Sequence, residues 1–210
     1  MADWATISSL ATAAGTLVLA VATFSAVRSA NVAARTAERA LQVGLRPVLF
    51  QGRPGDANER IHWVDGFAAD VGLGRAVVEA TPDAVYLAMQ LRNVGRGIAV
   101  LHGWFPNAAF AAAPNGPPDA DQFRRLYRDL YVPAGDVGFW QGALRDEAEA
   151  VKADLRATIE ARERFTVDIL YGDHEGGQRT ISRFALYPGE DGSWSSAVVR
   201  HWNLDRADPR

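Results

Sequence analysis

From Ala5 to Val27 the chain runs 23 residues without one charged side chain, and four arginines follow before Pro47. As a helix that block would reach ~35 Å at ~1.5 Å per residue, enough to cross a hydrocarbon core of ~30 Å. Seven Ala, four Thr, three Ser and one Gly accompany eight larger hydrophobes, among them Leu17, Leu19 and Phe24. Hydroxyls in such a helix bond back to the carbonyl one turn earlier, which lowers their cost in lipid. Trp4 borders the block, where an amphipathic ring favours the headgroup layer. Residues 5–27 therefore read as a transmembrane helix whose partner is the lipid bilayer. A signal peptide would want a positive start and a shorter apolar core, whereas this start carries Asp3 and no Lys or Arg. A helix buried in the soluble domain or in a larger assembly is the other alternative.

Charge sets the expected orientation. Arg28, Arg35, Arg39 and Arg46 are offset only by Glu38, so residues 28–46 carry +3 against −1 over residues 1–27. A positive flank stays on the cytoplasmic side. The expectation is a single pass with the N-terminus outside and the C-terminal domain in the cytoplasm. The 21 Arg against one Lys, with abundant Ala, fit a GC-rich coding bias, so the membrane is read as a bacterial inner membrane. The absence of Cys agrees with a reducing compartment but proves little.

Beyond the span, Ser29 to Gln42 holds no Gly or Pro, Gly44 suits a helix end and Pro47 stops continuation. The domains are thus residues 1–27 (anchor), 28–44 (juxtamembrane helix) and 45–210 (folded domain). Small residues at Ser8, Thr12, Thr16 and Ala20 would let two such helices pack closely, allowing a helix-mediated homo-oligomer. From Pro47 onward 18 basic residues face 23 acidic ones. That balance argues against nucleic acid as partner, which would call for a basic face.

The remaining chain reads as short strands with turn chemistry. Val85, Leu87, Met89 and Leu91 alternate within Ala84 to Asn93, and Asn93-Val94-Gly95-Arg96-Gly97 punctuates that run. Arg46 to Phe50, Ile61 to Val64, Ala76 to Ala80, Ile98 to Trp104 and Val137 to Gln141 also read as extended. Phe123 to Leu130 suits a helix (Phe123, Leu126, Leu130) or a strand. A loop is expected over Ala111 to Pro118. One clear helix follows Asp146, which sits at capping-box spacing from Glu149 and precedes the stripe Val151, Leu155, Ile159. Phe165 to Tyr171 and Thr180 to Leu186 form a hairpin about Gly172 to Gly177, and Trp194 to Leu204 closes the chain. The fold class is mainly β (α+β): an N-terminal transmembrane and stalk helix, then an antiparallel β-sandwich with one or two helices.

Several segments carry a resemblance: Val27 to Ala30, Ala37 to Leu41, Arg46-Pro47, Leu91 to Gly97, Asp129 to Asp136, Tyr171 to Thr180 and Arg200 to Leu204. Over nearly its whole length the chain resembles a group of uncharacterised single-pass membrane proteins of actinobacteria. The resemblance implies a membrane anchor and a bacterial source. It implies no activity, because none is assigned to that group.

Candidate chemistry is sparse. Asp173, His174, Glu175 and His201 are the residues that a membrane-tethered hydrolase or metal enzyme would use, yet no paired-His spacing brings them together. The bland alternative has Asp173 and His174 capping a hairpin while Gly176-Gly177 supplies positive φ. No Cys and no nucleophile elbow are present, and Gly95-Arg96-Gly97 and Gly135 to Gly138 lack the Lys-Ser/Thr of a phosphate loop. No resident metal or cofactor is therefore expected. A cluster rich in Arg and aromatics, Arg124 to Tyr131 with Phe139, Trp140, Arg179, Arg183, Arg200 and Trp202, uses the residue types that anchor protein interfaces. Within it Arg124, Arg125 and Arg128 are the partner-binding candidates. The leading expectation is an interaction or scaffold module at the membrane with a protein partner, and a small-ligand sensor is a further alternative.

Overall fold

The computed structural model describes residues 3–110 and 115–205. They form two compact units that divide between Val43 and Gly44. The first is one helix, α1 (Trp4–Gly44), 41 residues long, or about 60 Å at ~1.5 Å per residue. Its most apolar stretch has a mean hydropathy of 1.9, and it is long and apolar enough to span a membrane. The hydroxyls behave as its polarity requires. Thr12 Oγ1 donates to Ser8 O at 2.9 Å, Thr16 Oγ1 to Thr12 O at 2.9 Å, and Ser25 Oγ to Ala22 O at 3.1 Å.

The second unit is a curled, antiparallel sheet with one further α-helix. Its strands are β1 (Leu49–Gln51), β2 (Glu59–His62), β3 (Ala68–Val71), β4 (Arg75–Ala80), β5 (Val85–Asn93) and β6 (Ala99–Asn107), followed by β7 (Arg124–Val132), β8 (Val137–Leu144), β9 (Phe165–Asp173), β10 (Arg179–Pro188) and β11 (Trp194–Asn203). Helix α2 (Ala150–Glu160) lies between β8 and β9. One nine-stranded sheet runs β5-β4-β11-β10-β9-β6-β7, with β1 and β8 also on β5, while β2 and β3 pair separately. The two layers of the sandwich come from this one sheet turning over on itself.

Alternation fills the space it encloses. Leu87, Met89 and Leu91 of β5 meet Val167, Ile169 and Tyr171 of β9, with Trp104, Trp140, Phe165 and Phe184 between them. Leu155 brings α2 onto the same core. β5 and β9 are buried on their outer faces too. Ile61, Trp63 and Val71 of the β2–β3 hairpin cover Tyr86 and Ala88, while Phe123 covers Leu170, Ile181 and Trp202. β3 was not visible in sequence, being four residues without alternation between Gly66 and Gly72.

One local expectation is resolved and one is corrected. Phe123 to Leu130, which fitted a helix or a strand, belongs mostly to β7, because the Phe123, Leu126 and Leu130 spacing is satisfied by a bulged strand. Four residues, Leu126 to Asp129, stand opposite the single His102 in the β6 ladder. The capping box before α2 does not form. Asp146 Oδ1 accepts from Ala148 N at 2.9 Å, and the helix begins later, with Glu149 at its N-cap making no cap bond. The Glu149 carboxylate goes to the Arg124 guanidinium instead.

The only lysine has a structural place. Lys152 is 2% exposed, and its ammonium donates to Asp83 O at 2.7 Å and Arg145 O at 3.3 Å and pairs with Glu147. Three divergent donors suit an ammonium better than a planar guanidinium, which accounts for Lys here in an arginine-dominated chain.

Candidate functional site

β7 and β8 follow one another through the turn Pro133 to Asp136, yet β7 pairs only with β6 and β8 only with β5. Near the turn they touch: a Cβ on Gly138 would lie 3.0 Å from Val132 Cγ2. At the other end they enclose a cleft of about 590 Å³. Arg124, Arg125 and Arg128 all line it, with Tyr127, Leu126 and Leu130 beside them. Strict strand alternation would have put Arg125 opposite the other two. The bulge at Leu126 to Asp129 resets the alternation between Arg125 and Arg128, and all three sequence candidates line the cleft.

The walls come from residues that sequence reading had not joined to the site. Trp104 contributes from β6, Gly142 from β8, Arg145 and Glu149 from the segment before α2, and Trp63 from the loop after β2. Trp104 lies edge-on to Trp140 at 5.2 Å, and Gly142 is the residue that lets both rings in. A Cβ there would sit 2.8 Å from each ring. The Trp63 indole donates to Gly142 O at 3.2 Å, so a side chain occupies a carbonyl on the open edge of β8. The aspartate-glycine turn after Trp63 was the one sequence signal that an aromatic was being presented on a hairpin.

Charge within the cleft is unevenly spent. Arg124 pairs with Glu149 and lies 5.6 Å over the Trp104 ring. Arg145 Nε donates to Asp65 Oδ2 at 2.8 Å, and the Tyr86 hydroxyl donates to the same oxygen at 2.7 Å. These two bonds, Arg145 first, hold the Asp65 carboxyl down at about 2. Burial, more than Asp65, pushes the Tyr86 hydroxyl up. Arg125 and Arg128 are exposed and form no ion pair among the described residues. Arg128 lies 5.8 Å over the Phe139 ring, and its charge pulls against the burial that raises the Glu59 carboxyl. Tyr127 is fully solvent-facing.

The rest of the Arg and aromatic cluster lies elsewhere and is committed to structure. Arg183 grips Asp168 through two bonds of 2.8 and 2.7 Å and lies 4.9 Å over Trp202. Arg179 pairs with Asp205 at 2.8 Å, and Arg200 Nη1 donates to Asn115 O at 2.5 Å. No protein-family model, curated protein or solved structure matches this chain. Its chemistry has to be read from its own side chains.

The four residues of the enzyme alternative do not meet. Asp173 ends β9 and His174 and Glu175 follow in the β9–β10 connection, where Asp173 Oδ1 accepts from Gly177 N at 2.7 Å and His174 pairs with Glu175 at 3.1 Å. His201 sits on β11 opposite Ser182, whose hydroxyl is 2.6 Å from its Nδ1. Ser182 in turn meets the Tyr171 hydroxyl at 2.9 Å, which accepts from Leu49 N at 3.2 Å. Among the described residues no group of three or more His, Asp or Glu is placed to hold a metal ion. The sequence grouping failed because register, not proximity along the chain, decides where β11 sets His201.

At the turn itself Gly176 has φ +74° with open space around its Cβ position. Gly176→Val is therefore expected to cost about 1 kcal/mol or more through backbone strain alone. His174→Ala, half-exposed, is expected to stay within about 0.5 kcal/mol. Urea titration of both variants checks this; equal costs would sink the role given to Gly176.

Proposed function

We propose that the chain is a single-pass bacterial inner-membrane protein whose cytoplasmic domain is an interaction module, recruiting a protein partner through the cleft between β7 and β8. The anchor rests on α1, with the arginine flank after residue 27 supporting an N-out orientation. The observation that carries the recruiting role is the cleft's lining. Four arginines, Tyr127 and two tryptophans are among its residues, the types that concentrate binding energy in interfaces, and Arg125 and Arg128 form no ion pair among the described residues. The cleft volume also lies in the ~300–1,000 Å³ range of small-molecule pockets, which keeps a ligand sensor as the second reading.

The test uses the full chain, tagged at its C-terminus and purified from membranes. Arg125→Glu with Arg128→Glu is expected to release co-purifying proteins while leaving thermal unfolding nearly unchanged. Arg124 is left intact because its pair with Glu149 ties β7 to the start of α2. Removing residues 1–27 is expected to move the protein to the soluble fraction. A C-terminal reporter should read cytoplasm, and protease access from outside intact cells would reverse the orientation. An unaltered set of co-purifying proteins would remove the cleft from the recruiting role.

A further inference from the structure

The cleft has a shape and a charge that together specify more than a generic partner. Its two long sides are the open edges of consecutive strands, since β7 bonds only to β6 and β8 only to β5. An open strand edge presents unpaired N–H and C=O groups, and the commonest molecular answer is another extended segment. One of these groups is already seen accepting a bond from outside the sheet: Gly142 O takes the Trp63 indole N–H. β8 brings Gln141, Gly142 and Ala143 to the lining of the cleft.

Charge decides the occupant. The domain as a whole is acidic, with 23 acidic against 18 basic residues from Pro47 onward. Yet the edge of β7 in the cleft offers Arg125 and Arg128, both exposed and without an ion pair among the described residues. The lining acids are partly engaged, Glu149 by Arg124 and Asp146 by the backbone of Ala148. Tyr127, fully solvent-facing, supplies flat apolar surface next to the two cations. Guanidinium groups match carboxylates in geometry as well as in charge.

We infer that the cleft binds an extended acidic segment of a partner protein, laid along the β7 and β8 edges with carboxylates on Arg125 and Arg128. The segment's backbone bonds to the open strand edges, and alternate side chains reach Tyr127. Side chains repeat on one face of a strand every second residue, so the motif alternates acid with an apolar or aromatic residue. This inference rests on the recruiting role proposed above and names its partner's chemistry.

The test measures fluorescence anisotropy of a labelled octapeptide, Glu-Tyr-Glu-Val written twice, against the full chain in non-ionic detergent. Binding is expected, with at least tenfold loss in the Arg125→Glu, Arg128→Glu variant and further weakening at higher salt. The same peptide with Lys for Glu should not bind. Methylating alternate backbone nitrogens should abolish binding if the strand edges hold the segment; unchanged affinity would overturn the edge-bonded geometry. No binding by the acidic peptide, or equal binding to the variant, would overturn the inference outright. A flexible polyanion probe, tripolyphosphate, that displaced the peptide and bound more tightly would show a phosphate site in its place. Release of co-purifying proteins by the double variant without peptide binding would leave the recruiting role standing and remove only this inference. Loss of neither would remove both.

Discussion

Asn93→Ala is expected to destabilise the domain by about 4 kcal/mol and to lower its unfolding temperature by about 10 °C or more. Asn93 is fully buried at the end of β5, and every side-chain polar atom is used. Its Oδ1 accepts from Val48 N at 3.2 Å and Gly95 N at 3.0 Å. Its Nδ2 donates to Gly97 O at 2.7 Å and Val132 O at 3.0 Å. Truncation leaves two donors and two acceptors without partners in a space no apolar side chain can compensate, at roughly 1–3 kcal/mol for each group left unmet. The packing around it is just as tight. A Cβ at Gly97 would lie 1.7 Å from Leu45 O, and one at Gly95 2.3 Å from Arg46 O, so neither loop can shift to close the gap. Asn93→Asp should do no better, since a carboxylate would face two carbonyls. Urea titration with linear extrapolation measures the loss. A cost below about 1 kcal/mol would mean that other contacts hold the segment entering β1.

Asp168→Ala is expected to cost about 3–5 kcal/mol, because it strips the carboxylate from a buried guanidinium. The Asp168 and Arg183 side chains are 1% and 7% exposed, on the outer face of β9 and β10. Burial pushes the Asp168 carboxyl up while Arg183 pulls it back, so the pair is held by geometry against its own desolvation. That opposition makes a second measurement decisive. Asp168→Leu combined with Arg183→Met should recover most of the loss, since a buried pair often adds little beyond a well-packed apolar one. A double variant as unstable as the single one would show that the pair organises its surroundings, including Trp202, rather than merely neutralising itself.

Much of this architecture was legible from local pattern. The uncharged run marked α1, the alternation of Val85, Leu87, Met89 and Leu91 marked β5, and Gly176 marked the turn at which β9 reverses. What stayed hidden depends on partners far along the chain. Asn93 read as turn punctuation because Val48 and Val132, which need it, lie 45 and 39 residues away. Arg125 lines one cleft with Arg124 and Arg128 although neighbours on a strand face opposite ways, and the bulge between Arg125 and Arg128 is one that no spacing rule announces. Trp63 reached the same cleft on a hairpin too short to show a period. His201 looked like a companion to His174 until β11 registered against β10 and gave it to Ser182.

The way the chain enters its domain has a mechanical consequence. Any tension on α1 is delivered at β1, and a ladder of three residue pairs would peel under a modest tug. β1 is not held by its ladder alone. Asn93 fastens Val48, the Tyr171 hydroxyl fastens Leu49, and Gln51 Oε1 accepts from Val198 N at 3.1 Å. The leash is thus knotted to β5, β9 and β11 within four residues, and a force applied through α1 is shared across the sheet before any one strand can slip.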